Sequence, residues 1–322
     1  MNHFEKPTIV VSKCLEFSRC RYDGQMVASS FIKLLEPHVD FVPVCPEVEM
    51  GLGIPRNPIR LVKKNDEIQL LQPSTGKDYT IKMDRFNNTF FNNLKDVDGF
   101  ILKSASPSCG NHAVKVYDDI ESKSFSYKSS GLFSKQVQER FGHLAIEDEG
   151  RVNNLRIREH FLTKVFLFAS FRKIKAKGRF SDLVTFHANN KLLLMAYHQT
   201  NQKQLGRIIS NRKEKPLSKI LESYETILSR SFAKNARYIS HVNVLMHALG
   251  FFKKTLNSNE KKHFLDILDK YRERKASLSH ALTILQSWVL RFDSTYLKNQ
   301  TYLEPFPSEL INLSDSGMRK KI

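Results

Sequence analysis

The hydrophobic period of this chain changes once, near its middle, and that change restricts the fold more than any other feature. Before residue 150, short β-branched runs alternate with helical patterns. "TIVVSKC" and "DFVPVCPE" read as strands, and "VDGFILKSASPSC" contains a third. Between the first two, "GQMVASSFIKLLEPHV" has helical spacing through Val27, Phe31, Leu34 and Leu35 and closes at Pro37. "IRLVKKNDEIQLLQPSTGKDYTIKM" reads as a hairpin turning at Gly76, and "MDRFNNTFFNNL" as a helix. Strands that recur between helices predict an α/β domain with a mostly parallel sheet.

After residue 150 the strand pattern stops. Leu155, Phe161, Val165 and Phe168 share a helical spacing, and a longer pattern runs from a cap at Ser181 or Asp182 to Asn211. That second helix would carry His187 and His198 on roughly one face. "NSN" before "EKKHFLDILDKY" is a stop-and-cap signal. The half reads as an all-α domain of about six helices. "AIEDEGRVNN" has the composition of a connector. The expected domains are therefore 1–150 and 151–322.

Charge divides along the same line. Residues 1–150 hold 19 Lys and Arg against 20 Asp and Glu, a net of −1. Residues 151–322 hold 32 basic and 13 acidic side chains, a net of +19. Charge so concentrated predicts a polyanionic partner for the second half. The start of the chain lacks a signal-peptide layout, and "VFLFASF" is too short to span a bilayer. The expected location is cytoplasmic.

All four cysteines, Cys14, Cys20, Cys45 and Cys109, precede residue 110. In the cytosol such residues are ligands or nucleophiles more often than disulfides. Cys14, Cys45 and Cys109 each follow the carboxyl end of an expected strand, the edge at which open α/β sheets bind ligands. With no C-x-x-C, a zinc ribbon is disfavoured. Thiolates drawn from separate strand ends suit an iron–sulfur cluster instead. Cys20 is a fourth candidate. Four ligands would close a cluster for electron transfer, whereas three leave one iron open to a substrate atom. "GLGIPRNP" holds neither G-x-G-x-x-G nor a Walker pattern, and its Arg56 reads equally as a phosphate contact or a structural ion pair.

"VVSKCLEFSRCRYDG", "VPVCPEVEMGLGIPRNPIRLV" and "ILKSASPSCGNHAVKVY" resemble the three motifs of the DUF523 family, which includes thiouracil desulfidases. "LVTFHANNKLLLMAYHQTNQKQLGRI" resembles the DUF1722 family, a helical domain often fused behind it. The resemblance implies a [4Fe-4S] cluster held by Cys14, Cys45 and Cys109, with Glu47 and Ser106 as active-site partners. It implies conversion of a thiocarbonyl to a carbonyl with release of sulfide, and fused forms of this type are linked to 4-thiouridine in tRNA. Glu16 and Phe17 depart from the "CLLG" that relatives commonly carry after the first cysteine. On this reading Glu47, two residues from a ligand, is the base for the attacking water, Ser106 binds the ring or relays a proton, and no net electron transfer occurs.

"FRKIKAKGRF" sets Arg172, Lys173, Lys175, Lys177 and Arg179 between Phe171 and Phe180. Cations interleaved with aromatics are expected to contact tRNA. Two alternatives differ in class. One is a desulfidase for free thiolated bases, and the other is a non-enzymatic cluster protein that senses redox state on nucleic acid.

Overall fold

The computed structural model describes residues 4–212 and 215–311. The chain forms two compact units, Phe4–Ala169 and Ser170–Ser308. In the first, the elements run β1 (Thr8–Ser12), α1 (Ser30–Leu35), β2 (Asp40–Val44), α2 (Pro46–Glu49), β3 (Arg60–Lys64), β4 (Glu67–Leu71), α3 (Thr80–Asn93), β5 (Gly99–Leu102), β6 (Val114–Tyr117), β7 (Tyr127–Ser129), α4 (Leu132–Phe141) and β8 (Ala145–Asp148). Four strands form a parallel sheet in the order β2-β1-β5-β8. The two central strands are fully buried apart from one terminal residue, as their β-branched and aromatic content requires.

A second sheet of four, β4-β3-β6-β7, is mixed. Its first hairpin turns at Asn65 and Asp66, both left-handed, rather than at Gly76. Two successive positive-φ residues make the turn that suits the twist of a two-residue hairpin, and Asn and Asp tolerate it. Gly76 shapes a later turn, behind the bridge between Leu71 and Asp78.

Two further expectations change. The helix read over "GQMVASSFIKLLEPHV" begins only at Ser30, where Ser29 caps it. The acidic "AIED" is not a connector but strand β8, on one edge of the parallel sheet. Edge strands tolerate charge, and Glu147 and Asp148 gave it the look of a loop. The division between units falls later, inside α5 (Leu155–Lys177). The first half of α5 packs on the sheet at Gly99, where a Cβ would stand 2.9 Å from the Val165 side chain.

The second unit is all helical. After α5 come α6 (Phe180–Asn189), α7 (Lys191–Ser210), α8 (Leu217–Ser231), α9 (Tyr238–Gly250), α10 (Ser258–Arg272), α11 (Leu278–Arg291) and the short α12 (Thr295–Lys298). Asn257 and Glu260 close a capping box on α10. The helix expected from Ser181 to Asn211 is broken twice, at Asn190 and at His198, whose backbone is extended. Gln300, buried, holds the first break. Its amide donates to the Ala188 carbonyl at 2.8 Å, and its oxygen accepts from the Leu192 amide at 3.0 Å. At the second break His198 accepts from the Asn201 amide at 3.3 Å, starting the helix anew. His187 and His198 therefore do not share a continuous face. Among the described residues, no helix is long and apolar enough to cross a membrane.

Candidate active site

The carboxyl edge of the parallel sheet gathers the chemistry-bearing residues of the first unit. Cys14 lies two residues past β1, Cys45 directly past β2, and Cys109 in the loop after β5. Each is held by backbone geometry. At the first, the Cys14 carbonyl accepts from Val27 and the Lys13 amide donates to Val44, both at 2.8 Å. Glu16 follows in the left-handed region, and its carboxylate accepts from the Ser29 amide at the start of α1. The departure at this position thus has a local role, tying the cysteine loop to a helix end. At the second, Cys45 is the cap residue of α2, and Pro46 opens the helix.

The third turn, Ser106 to Gly110, sits against the first turn of α4. The amides of Leu132, Phe133 and Ser134 donate to the carbonyls of Pro107 and Ser108 at 3.0–3.1 Å. These are amides that a helix start leaves without internal partners. Gly131 permits the approach, since a Cβ there would stand 2.4 Å from the Ser108 carbonyl oxygen. Within the turn, the Ser106 hydroxyl accepts from the amides of Ser108 and Cys109.

Glu47 links two of these loops. Its Oε1 accepts from Ser108 Oγ at 2.9 Å and from Ser106 Oγ at 3.4 Å. Its Oε2 accepts from Arg56 Nε at 2.9 Å and Nη2 at 2.8 Å. Arg56 Nη1 donates to the carbonyls of Cys20 and Gly53 at 3.0 and 3.1 Å. The structure therefore brings the expected Glu47 and Ser106 together beside Cys109. It adds Ser108 as the closer hydroxyl and resolves Arg56 as the ion-pair partner of Glu47. The sequence signal for Ser108 was its place next to Cys109; nothing nearby in sequence names its partner 61 residues away.

All four cysteines are buried free thiols. Burial pushes Cys14 up to about 12, and Cys45 adds to the effect. Cys20 is likewise pushed up to about 12 by burial, then by Cys45 and Cys14, and it is hydrogen-bonded to Cys45. Burial raises Cys109 well above the ordinary thiol range, against a hydrogen bond with Ser12 and reinforced by Cys45 and Cys14. The thiols thus feel one another, with Cys45 and Cys14 acting on both of the others. As thiolates they would repel in a place already hostile to charge, and a soft cation is what relieves that. Among the described residues, no group of three or more His, Cys, Asp or Glu side chains is arranged to hold one metal ion. A multi-iron cluster makes a different demand, because each thiolate binds its own iron. Cys14, Cys45 and Cys109, on three loops of one sheet edge, are a donor set suited to it.

Family comparison covers the unit that carries this edge. The model of the family described as 2-thiouracil desulfurase matches residues 9–149. The chain belongs to the 2-thiouracil desulfurase family. Behind the desulfurase region, residues 191–307 match DUF1722, a family of unknown function. Among curated relatives, the uncharacterized protein YbbK of Bacillus subtilis is 33% identical over 110 residues, covering 32% of this chain and 73% of its own. The uncharacterized protein YbgA of Escherichia coli is 25% identical over 169 residues, 52% of this chain and 99% of its own. A solved structure titled as the [4Fe-4S]-dependent thiouracil desulfidase TudS is 26% identical, covering 46% of this chain and 93% of its own, with a TM-score of 0.38.

The basic stretch expected to meet tRNA belongs to the second unit, where α5 ends at Lys177 and Gly178 turns the chain into α6. Its charges are engaged within the protein. Lys175 pairs with Glu225 at 2.7 Å, while Lys177 and Arg179 both face Asp182, at 4.0 and 3.4 Å. Arg172 and Lys173 are half-buried. Phe171 is not an available stacking ring, because it is buried against Tyr224 and Phe186. Phe180 lies under the Arg212 guanidinium, 4.4 Å from its ring centre.

Proposed function

We propose that the first unit converts a thiolated uracil to uracil by hydrolysis, using a [4Fe-4S] cluster held by Cys14, Cys45 and Cys109. Held by those three thiolates, the cluster would supply Lewis acidity toward the sulfur of a thiocarbonyl. The rest falls to side chains of this chain. Glu47 takes a proton from the attacking water, and Arg56 holds its carboxylate toward the thiol edge. Ser106 and Ser108 orient the oxygen of Glu47 that faces the Cys109 turn. Water adds, the carbon–sulfur bond breaks, and sulfide leaves as hydrogen sulfide, so atoms balance with no electron supplied. The single observation that supports this most is Glu47 spanning from the Cys45 turn to the two serines before Cys109.

Anaerobic reconstitution with iron and sulfide, followed by incubation with 2-thiouracil or 4-thiouridine, tests it. Equal amounts of sulfide and of desulfurised base are expected. A loaded protein that releases neither refutes the activity.

The proposed macromolecular substrate is tRNA bearing 4-thiouridine. The support is the net charge of +19 beyond residue 150. A second reading, action on free thiolated bases, is favoured by one observation: Lys175, Lys177 and Arg179 are paired with two of the protein's own carboxylates, Glu225 and Asp182. Comparing kcat/KM for thiolated tRNA with that for the free nucleoside separates the two.

A further inference from the structure

The second unit carries two large aromatic rings side by side on its surface. Phe251, at the C-terminal end of α9, is 53% exposed, and Tyr296, in α12, is 37% exposed. They stack on each other, with ring centres 5.0 Å apart and planes 14° from parallel. Their chain neighbours fix the pair in place. Phe252 is buried against Trp288 and Phe292, and Leu297 is fully buried. With those side chains turned into the core, Phe251 and Tyr296 are left outside it. Stacking covers one face of each ring and still leaves apolar surface in water, which marks a contact site.

Cations accompany the rings. Lys253 and Lys254 follow Phe251, Lys298 follows Tyr296, and all three are exposed. The amides of Phe252 and Lys253 donate to the carbonyls of Leu249 and Gly250, so a helical turn continues past α9. Lys254, three residues on from Phe251, has the spacing that returns to one side of such a turn. Among the described residues, none of the three lysines has a carboxylate partner, in contrast to Lys175, Lys177 and Arg179. Asp293 is the one acidic side chain in residues 250–256 and 293–299.

We propose that Phe251 and Tyr296, with Lys253, Lys254 and Lys298, form the surface on which the second unit takes up unpaired nucleotides of RNA. The inference rests on the tRNA reading given above and names the contact surface for it. A ring with an open face accepts any base by stacking, and lysines beside it meet the phosphates. An acidic peptide would use the lysines and leave the rings idle. Near-parallel rings offer a plane rather than a wedge, which suits a base better than acyl chains.

The test is tRNA binding by the full chain, reconstituted anaerobically, read by fluorescence anisotropy of a labelled, unmodified tRNA transcript across a salt series. Phe251→Ala combined with Tyr296→Ala should weaken binding roughly five- to a hundredfold, the worth of stacking on one base, and leave the log–log salt slope unchanged. Tyr296→Phe should bind like the wild type. Lys253, Lys254 and Lys298 changed together to Gln should lower the slope by about two units. Wild-type affinity in the double ring variant, or an unchanged slope in the lysine variant, overturns the inference and leaves the tRNA reading standing. Loss of binding to phosphatidylserine vesicles in the ring variant, with tRNA binding intact, overturns it in favour of a lipid surface. Circular dichroism checks that the helices are kept; if the ring variant unfolds, the slope of the lysine variant decides alone. A wild type that binds no tRNA at any salt removes the tRNA reading, and this inference with it.

Discussion

The two units bury polar groups for different ends. In the first, Glu47, Ser106, Ser108, Arg56, Lys103 and Glu149 converge from distant segments on one sheet edge, beside buried thiols. In the second, buried and half-buried polar groups close gaps between helices. Gln300 holds the break at Asn190, His187 meets the Tyr224 hydroxyl at 3.1 Å, and His241 meets that of Tyr302 at 3.0 Å. Burial of a polar side chain is thus no guide to function by itself. What marks the first region is that its polar groups gather beside four buried free thiols, of which Cys14, Cys20 and Cys109 are made costly to ionise by burial.

The sharpest break between the regions comes from removing a thiol. Cys45→Ala should abolish the cluster's absorbance and all sulfide release, while Cys20→Ala should keep both. Iron counting on the anaerobic protein reads the outcome, and full iron in Cys45→Ala would dissolve the contrast. Next in size, Glu47→Gln should retain iron yet lower turnover by roughly 10²–10⁴, the usual worth of a positioned general base. Rates of sulfide release at wild-type level would reduce Glu47 to a strut.

That carboxylate also shows how far the sequence could be read. Strands β1, β2 and β5 were legible because their apolar runs are short and a cysteine follows each of them. Strand β8 was not, since its charge belongs to an edge. Glu47 was readable from its place after Cys45-Pro46, but its partners were not, because contacts between sheet-edge loops leave no period in the chain. Phe171 misled for the opposite reason. Its neighbours are basic, yet it continues the buried stripe of α5 from Phe168.

In the helical unit the expected effects are on stability. Gln300→Leu leaves the Leu192 amide unpaired and takes one partner from the Ala188 carbonyl, and should cost roughly 1–3 kcal/mol in denaturant unfolding followed by helical circular dichroism. A loss below the error of that measurement would mean that solvent reaches the break. Smaller still is a pH effect. Burial lowers His187 to about 4, with Lys191 adding to it, whereas the unfolded residue titrates near 6.5. The fold therefore keeps its full stability above about 6.5 and loses it as pH falls toward 4, because the unfolded chain binds the extra proton. Since the ring is only partly buried, roughly 1 kcal/mol is expected across that window, and less in His187→Gln. Identical pH profiles would assign the acid sensitivity elsewhere.

The smallest effect should follow from changing Lys173, Lys175, Lys177 and Arg179 together to Ala. With three of them already paired, the log–log salt slope of tRNA binding should fall by no more than about one unit. A larger fall would show that RNA displaces Glu225 and Asp182; a wild-type slope near zero would leave the second unit without an electrostatic role.

The contact between α4 and the Ser106–Gly110 turn bears on the order in which the protein matures. Backbone amides of a helix start brace this turn, and Gly131 lets them come close. On the cluster reading proposed above, a turn braced by the protein's own backbone would stand ready before iron arrives. Loading would then be a late event, open to repeated removal and repair without unfolding, unlike small zinc domains that fold only around their metal.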